Sequence, residues 1–73
     1  MINEKVQQIY DTAKKIDYFM TFGSQIRNDR ILASIRCDGR SKALAVAMKL
    51  IALFKDEAEV QYFNNTVVIT TMN

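Results

Sequence analysis

The sequence predicts an α+β fold: a two-layer αββαββ sandwich with a four-stranded antiparallel sheet and two helices on one face of it. Two kinds of pattern lead to this prediction. Two segments repeat apolar residues at helical spacing, and two others alternate apolar and polar residues on either side of a turn. Residues 1–73 are expected to form a single domain, because no linker or low-complexity tract divides so short a chain.

The first helix is predicted over residues 3–16. Its apolar residues recur every three or four positions and form one stripe: Ile2, Val6, Ile9, Tyr10, Ala13 and Ile16. Glu4 lies in the first turn and Lys14 and Lys15 lie in the last, which are the charges that the helix dipole favours at the two ends.

Residues 17–22 allow two interpretations. If they continued the helix, Tyr18 and Phe22 would turn away from its apolar stripe. If they begin a strand, residues 18–27 can pair with residues 30–37 as a hairpin. We adopt the second interpretation, because the hairpin has a register that matches apolar residues with one another.

This hairpin is expected to turn at Asn28-Asp29, two residues that tolerate positive φ better than most. The register gathers four pairs on one face: Ile26 with Ile31, Ser24 with Ala33, Phe22 with Ile35 and Met20 with Cys37. All of these residues except Ser24 are apolar, so this face is expected to be the buried one.

The second helix is predicted over residues 42–55, with Ser41 as its N-cap. Its apolar side chains span an arc of roughly 220° around the helix axis. The sheet and the first helix are expected to cover only part of this arc. Leu44, Met48 and Ile51 remain, and we expect them to form a twofold-symmetric contact between two copies of the chain, which makes the protein a homo-oligomer.

The last segment predicts a second hairpin with its turn at Asn64-Asn65. The expected inner pairs are Tyr62 with Val67 and Val60 with Ile69, and the outer pairs are Glu59 with Thr70, Gln61 with Val68 and Phe63 with Thr66. If the fourth strand lies centrally beside the second, the two hairpins join in one sheet and bury both inner faces against the helices.

The sequence contains no pattern for catalysis or for binding a metal or cofactor. It has no His, the commonest general base and metal ligand, and Cys37 is its single Cys. No glycine-rich phosphate loop occurs. We therefore predict a protein that is not an enzyme and that uses no metal, no cofactor and no small-molecule substrate. Cys37 is expected to be a thiol buried in the core.

The same composition argues against export and against a membrane partner. Charged residues are spread through the N-terminal part of the chain, unlike the apolar stretch of a signal peptide. The longest apolar run, residues 43–54, contains Lys49 and is shorter than the roughly 20 residues that span a bilayer. A single Cys forms no intrachain disulfide, so we predict a cytoplasmic protein.

Positive charge is concentrated in the middle of the chain. Residues 23–42 contain all four arginines and Lys42 against two aspartates, which gives a net charge of +3. The hairpin register sets Arg27 opposite Arg30 and places Arg36 on the same outward face. Like charges that oppose each other across strands are destabilising, so we interpret these arginines as contacts for a negatively charged partner.

Two further elements complete the predicted binding site. Arg40 and Lys42 lie where the second strand joins the second helix, whose N-terminal N–H groups can hold an anion. Phe63 is an outward aromatic residue that can stack on a base. These residues predict a small non-enzymatic binding or regulatory module that engages an anionic macromolecule, either nucleic acid or an acidic protein.

Two alternatives remain open at this point. The arginines can instead keep an ordinary exposed sheet face soluble and unaggregated. The protein can also be a small protein–protein inhibitor or adaptor, of the type found as phage or mobile-element accessory proteins. Such an adaptor would act through helix 42–55 or a strand edge, as a homodimer. Binding to nucleic acid weakens steeply with salt, whereas adaptor binding survives moderate salt.

Overall fold

The computed structural model describes residues 2–71, with side chains from residue 4 onward. Its elements are α1 (Ile2–Ile16), β1 (Thr21–Arg27), β2 (Arg30–Arg36), α2 (Arg40–Phe54), a 3-10 turn (Lys55–Glu57), β3 (Ala58–Phe63) and β4 (Thr66–Thr71). The strands form one antiparallel sheet in the order β1-β2-β4-β3, and the helices pack against it. The predicted αββαββ fold class is confirmed, and β4 lies centrally beside β2.

The helices form one layer over the sheet. α1 lies beside α2 and against β2, whereas α2 covers β3 and β4. Ile9 and Ala13 of α1 are fully buried. Five residues of α2 are buried as well: Ala43, Val46, Ala47, Leu50 and Phe54. Burying one large aliphatic side chain stabilises a fold by about 1.5–3 kcal/mol, so this layer contributes strongly to stability.

Both hairpins have the register that the sequence predicts. The pairing of β2 with β4 joins them, because it sets Ala33 opposite Ile69 and Ile35 opposite Val67. These four residues and Ile31 are almost completely buried beneath the helices. The residues that alternate with them point to the other face of the sheet and are exposed or half-buried.

The structure corrects the prediction for the segment between α1 and β1. Residues 18–20 neither continue the helix nor pair as a strand, and β1 begins only at Thr21. The chain turns here instead, with the Met20 N–H donating to the Asp17 carbonyl at 3.1 Å. Met20 and Cys37 are buried as expected, but they lie beyond the paired residues of the two strands.

α2 begins earlier than the sequence predicts. Arg40 is its first residue and Gly39 is its N-cap, so Ser41 lies inside the first turn and is not the cap. The Gly39 carbonyl accepts a hydrogen bond from the Ala43 N–H at 3.1 Å, which starts the helix without any side-chain cap. The helix stops where Lys55 takes a φ of 50°, one residue before the predicted end.

The first turn offers a direct test of the hairpin. φ is 54° at Asn28 and 64° at Asp29, the left-handed region in which a β-branched side chain is strained. We expect Asn28→Val to lower the free energy of unfolding by roughly 1–2 kcal/mol in urea unfolding. The same change at Gln25, an exposed residue within β1, is expected to be neutral or stabilising. Equal stability of the two variants would contradict the turn geometry.

Candidate functional site

The face of the sheet that points away from the helices, called the outer face from here on, carries four of the six residues predicted to bind an anionic partner. Residues paired across antiparallel strands point to the same side, so their side chains form rows across the sheet. Three rows cross all four strands: Thr21, Arg36, Thr66 and Phe63; Gly23, Ser34, Val68 and Gln61; Gln25, Leu32, Thr70 and Glu59. Arg27 and Arg30 form one further pair beside the first turn.

The middle of the outer face is shallow, because its second row includes Gly23 and Ser34. A depression of about 330 Å³ lies over these two residues and Leu32. A second depression, of about 280 Å³, lies beside Phe63 and Val68. An extended ligand can therefore approach the backbone of the sheet closely at these places.

Phe63 and Arg36 lie in the same row. Phe63 is 78% exposed although it is a large aromatic residue. It stands on an edge strand, two strands away from Arg36, so their Cα atoms are about 10 Å apart at ordinary strand spacing. Arg36 is exposed and forms no ion pair with any residue that the structure describes. One ligand strand can therefore contact both the ring and the guanidinium.

The three arginines of the outer face form two groups rather than one cluster. Arg27 and Arg30 lie opposite each other. Arg36 is six residues from Arg30 on β2, which corresponds to about 20 Å along the strand. Glu59 lies on the outer face too, at the β3 edge, where its carboxylate accepts a hydrogen bond from the Gln61 Nε2 at 3.4 Å. The positive half of the outer face is therefore the β1–β2 half.

The junction of β2 and α2, where Arg40 and Lys42 are predicted to bind an anion, already contains a carboxylate of the chain itself. Asp17 is fully buried, and its carboxylate accepts hydrogen bonds from the Asp38 N–H at 2.6 Å and the Phe19 N–H at 3.1 Å. The Lys42 Nζ lies 3.8 Å from the same carboxylate. Arg40 is exposed, but as the first residue of α2 it belongs to the helix layer.

These contacts keep Asp17 charged. The hydrogen bond from the Asp38 N–H has the largest effect and holds the pKa of the Asp17 carboxyl below its ordinary value of 3.8. Burial acts in the opposite direction, and the Phe19 N–H and Lys42 lower the pKa further. Asp17 is absent from the predicted site residues, although its position four residues after Ala13 places a charge on the apolar stripe of the first helix.

Tyr18 and Phe19 are displayed by the turn that Asp17 closes. They are 69% and 79% exposed, and their ring centroids are 5.4 Å apart in an edge-to-face arrangement. The Lys14 Nζ lies 4.5 Å from the centroid of the Tyr18 ring, a cation–π contact that holds this ring near α1. The turn leads into the start of β1, at the end of the sheet that carries Arg36. Two adjacent aromatic residues in the sequence are the signal for this feature.

The predicted self-association residues lie in the helix layer. Leu44, Met48 and Ile51 are 41%, 62% and 49% exposed on the surface of α2. They share no row with the arginines of the outer face, because that face lies on the opposite side of the sheet. The residues predicted from the sequence therefore divide between two separate surfaces.

Cys37 is buried, as predicted, with 3% of its surface exposed. Burial raises the pKa of its thiol, and the neighbouring Asp17 carboxylate raises it further. The Cys37 N–H donates to the Asn65 carbonyl at 2.7 Å, and the Cys37 carbonyl accepts from the Asn65 Nδ2 at 3.0 Å. These bonds fasten the end of β2 to the second hairpin. Within residues 2–71, no three His, Cys, Asp or Glu side chains are grouped to hold a metal ion.

No known protein family, curated protein or solved structure matches the chain. No helix in the described part of the chain has the length and apolar character needed to cross a membrane. The functional proposal below therefore rests on the geometry and chemistry of the outer face.

Asp17→Asn tests the role of the buried carboxylate. The variant keeps the size of the side chain but loses its charge and replaces one acceptor oxygen with an NH2 group. We expect a lower free energy of unfolding at neutral pH, measured by urea unfolding. Because folding lowers the pKa of Asp17, its stabilising contribution is present above the ordinary value of 3.8 and is lost as the pH falls below that value.

The difference in stability between wild type and Asp17→Asn is therefore expected to shrink as the pH falls through 3.8 and below. Asp56→Asn is the matched control, because Asp56 is exposed in the 3-10 turn, and this variant is expected to keep wild-type stability. A stability difference for Asp17→Asn that stayed constant into acid would contradict a charged, hydrogen-bonded Asp17.

Proposed function

We propose that the protein is a non-enzymatic module that binds single-stranded nucleic acid on the outer face of its sheet. The row that contains Arg36 and Phe63 is the observation that supports this most strongly. An exposed aromatic ring stacks on a base, and a guanidinium without an internal partner binds a phosphate. These two groups lie in one row, about 10 Å apart, on a face that nothing in the described chain covers.

The charges of the outer face favour a diagonal path for the ligand. The ligand strand runs from Phe63 on β3 to Arg36 on β2, and then over Ser34 towards Arg30 and Arg27 at the far end of the first hairpin. This path keeps the phosphates away from the Glu59 carboxylate at the β3 edge. It covers about 20 Å along the direction of β2, which gives room for a few nucleotides.

A single strand fits the outer face better than a duplex does. Stacking on Phe63 requires a base with an accessible face, and paired bases inside a duplex have none. The outer face is a sheet with shallow depressions, not a projecting helix of the kind that enters a major groove. An acidic protein, the other predicted partner, would contact the arginines but would give the exposed ring of Phe63 no specific role.

Binding to a short labelled oligonucleotide, followed by fluorescence anisotropy, tests the role of the ring. Phe63→Ala is expected to weaken binding by about 1–3 kcal/mol, the contribution of one stacked base. Its stability is expected to stay near that of wild type, because Phe63 is 78% exposed. Tyr62→Ala is the matched control, since Tyr62 is the neighbouring aromatic residue on the opposite face of β3. Equal losses of affinity in both variants would speak against stacking on Phe63.

The salt dependence of binding tests the role of the arginines. Each phosphate contact on a single strand contributes about 0.7 to the slope of log affinity against log salt. Arg36→Ser is expected to flatten the slope by about that amount, and the double change Arg27→Ser with Arg30→Ser by roughly twice as much. Lys15→Ser removes an exposed cation from α1 and serves as the control with an unchanged slope. If no single-stranded DNA or RNA binds at low salt, the proposal fails and the adaptor interpretation replaces it.

A further inference from the structure

The edge of the sheet at β3 is open and unprotected. The strand order β1-β2-β4-β3 leaves β1 and β3 as edges. Edge strands usually avoid pairing with other chains by means of Pro, Lys, a bulge or a covering element. β3 (Ala58–Phe63) has no Pro, Gly or Lys and Glu59 is its one charged residue, whereas its Val60, Tyr62 and Phe63 favour strand pairing. β1, by contrast, contains Gly23 in its interior, which weakens a strand.

An exposed apolar stripe of α2 lies on the side of this same edge. The stripe consists of Leu44, Met48 and Ile51, at successive turns of the helix. The opposite flank of α2 faces α1, because Lys42 contacts Asp17 and Lys49 lines a groove with residues of α1. α2 covers β3 and β4, whereas α1 lies against β2. The stripe therefore lies on the flank of α2 that is nearest to the β3 edge.

We infer that this edge is a self-association surface, at which β3 pairs antiparallel with β3 of a second copy while the two α2 stripes pack together. A twofold axis perpendicular to the sheet relates the two copies. The dimer then contains one continuous antiparallel sheet, with the helices of both copies on one side of it.

One twofold axis can relate both the paired β3 strands and the two packed α2 stripes. The middle of β3 lies about 8 Å along the strand from its first residue. The same length corresponds to about five residues of an α-helix. β3 follows the 3-10 turn and packs against α2. Counted back from the end of α2 at Phe54, five residues reach Lys49, which is next to Met48. Met48 is also the centre of the stripe between Leu44 and Ile51. The symmetry axis of the paired strands therefore passes the centre of the apolar stripe.

The lateral distances agree as well. Paired strands lie about 4.8 Å apart, so the axis lies about 2.4 Å outside β3. α2 packs on both β3 and β4. A helix axis midway between these two strands lies about 2.4 Å inside β3. The axes of the two α2 helices are then about 10 Å apart, the upper end of the 8–10 Å range at which helices pack. The two interfaces can form together without any change in the fold.

The charges at the ends of α2 complement each other in this arrangement. Arg40 begins the helix, and the 3-10 turn Lys55–Glu57 at its other end carries one net negative charge. Antiparallel helices bring each end against the opposite end of the second copy. The twofold axis therefore turns Arg40 of each copy towards the acidic turn of the other copy. This complementarity favours a second copy of the chain as the occupant.

The strand register is compatible with the same axis. Pairing about Gln61 places Val60 opposite Tyr62 of the second copy on the helix side of the sheet. Glu59 then lies opposite Phe63 of the second copy, so the two Glu59 carboxylates do not face each other. The inference does not depend on nucleic-acid binding. In the dimer the β1–β2 half of each outer face stays open, whereas Phe63 gains Glu59 of the second copy as a cross-strand neighbour.

Light scattering after size exclusion, at tens of micromolar protein, tests the inference. The wild-type chain is expected to have twice the 8.4 kDa mass of one chain. Met48→Glu puts a charge at the centre of the stripe and is expected to halve the mass to that of a monomer, while thermal unfolding confirms that the variant is folded. Gln8→Glu adds the same charge to an exposed position on α1 and is expected to remain a dimer.

Hydrogen exchange distinguishes edge pairing from other dimers. Alternate amides of an edge strand point outward, so in a monomer about half of the β3 amides exchange fast. In the wild-type dimer the outward amides are expected to be protected, and in Met48→Glu they are expected to exchange fast. A wild-type mass of one chain overturns the inference. So does a dimer that survives Met48→Glu, or a dimer in which the outward β3 amides exchange fast.

Discussion

The pairing of β2 with β4 is the constraint on which the rest of the structure depends. Side chains alternate strictly along a strand, so this one register decides that Ile35 and Ile69 lie in the core while Arg36 and Val68 lie on the outer face. A shift by one residue would exchange the two sets, exposing several fully buried aliphatic residues at about 1.5–3 kcal/mol each. The same pairing places β4 in the centre and leaves β3 as a free edge. Both the proposed ligand surface and the proposed self-association surface follow from it.

Asp17 fastens the chain where this sheet meets the helices. A buried carboxylate is costly unless its oxygens find donors, and here two backbone N–H groups and Lys42 supply them. These contacts join the end of α1 to the start of α2. The hydrogen-bonded residues Asp17 and Asp38 are 21 residues apart in the sequence. These contacts thereby fix the turn that displays Tyr18 and Phe19. Lys42 therefore has a partner within the chain, and the positive charge of the outer face comes from its arginines.

The sequence predicts the turn and the register of both hairpins but not the start of β1, because the Asn28-Asp29 turn and a set of matched apolar pairs leave only one register with a buried face. It predicts the start of α2 less well, since Ser41 is a good cap by residue type, whereas the cap is Gly39, which follows the Asp38 N–H that donates to Asp17. The role of Asp17 depends on a donor 21 residues away, which local patterns do not reveal. The separation of the arginines into two groups likewise depends on the length of β2, which places Arg30 and Arg36 at its opposite ends.

The outer face and the apolar stripe of α2 lie on different sides of the sheet. Methyl NMR spectra recorded during titration with a single-stranded oligonucleotide test the central claim, that the outer face is the working surface, most directly. The methyl signals of Leu32 and Val68, which lie on the outer face, are predicted to shift. The signals of Leu44 and Met48 on α2 are predicted to stay in place. Shifts confined to the α2 methyls, with Leu32 and Val68 unchanged, would contradict the assignment of function to the outer face.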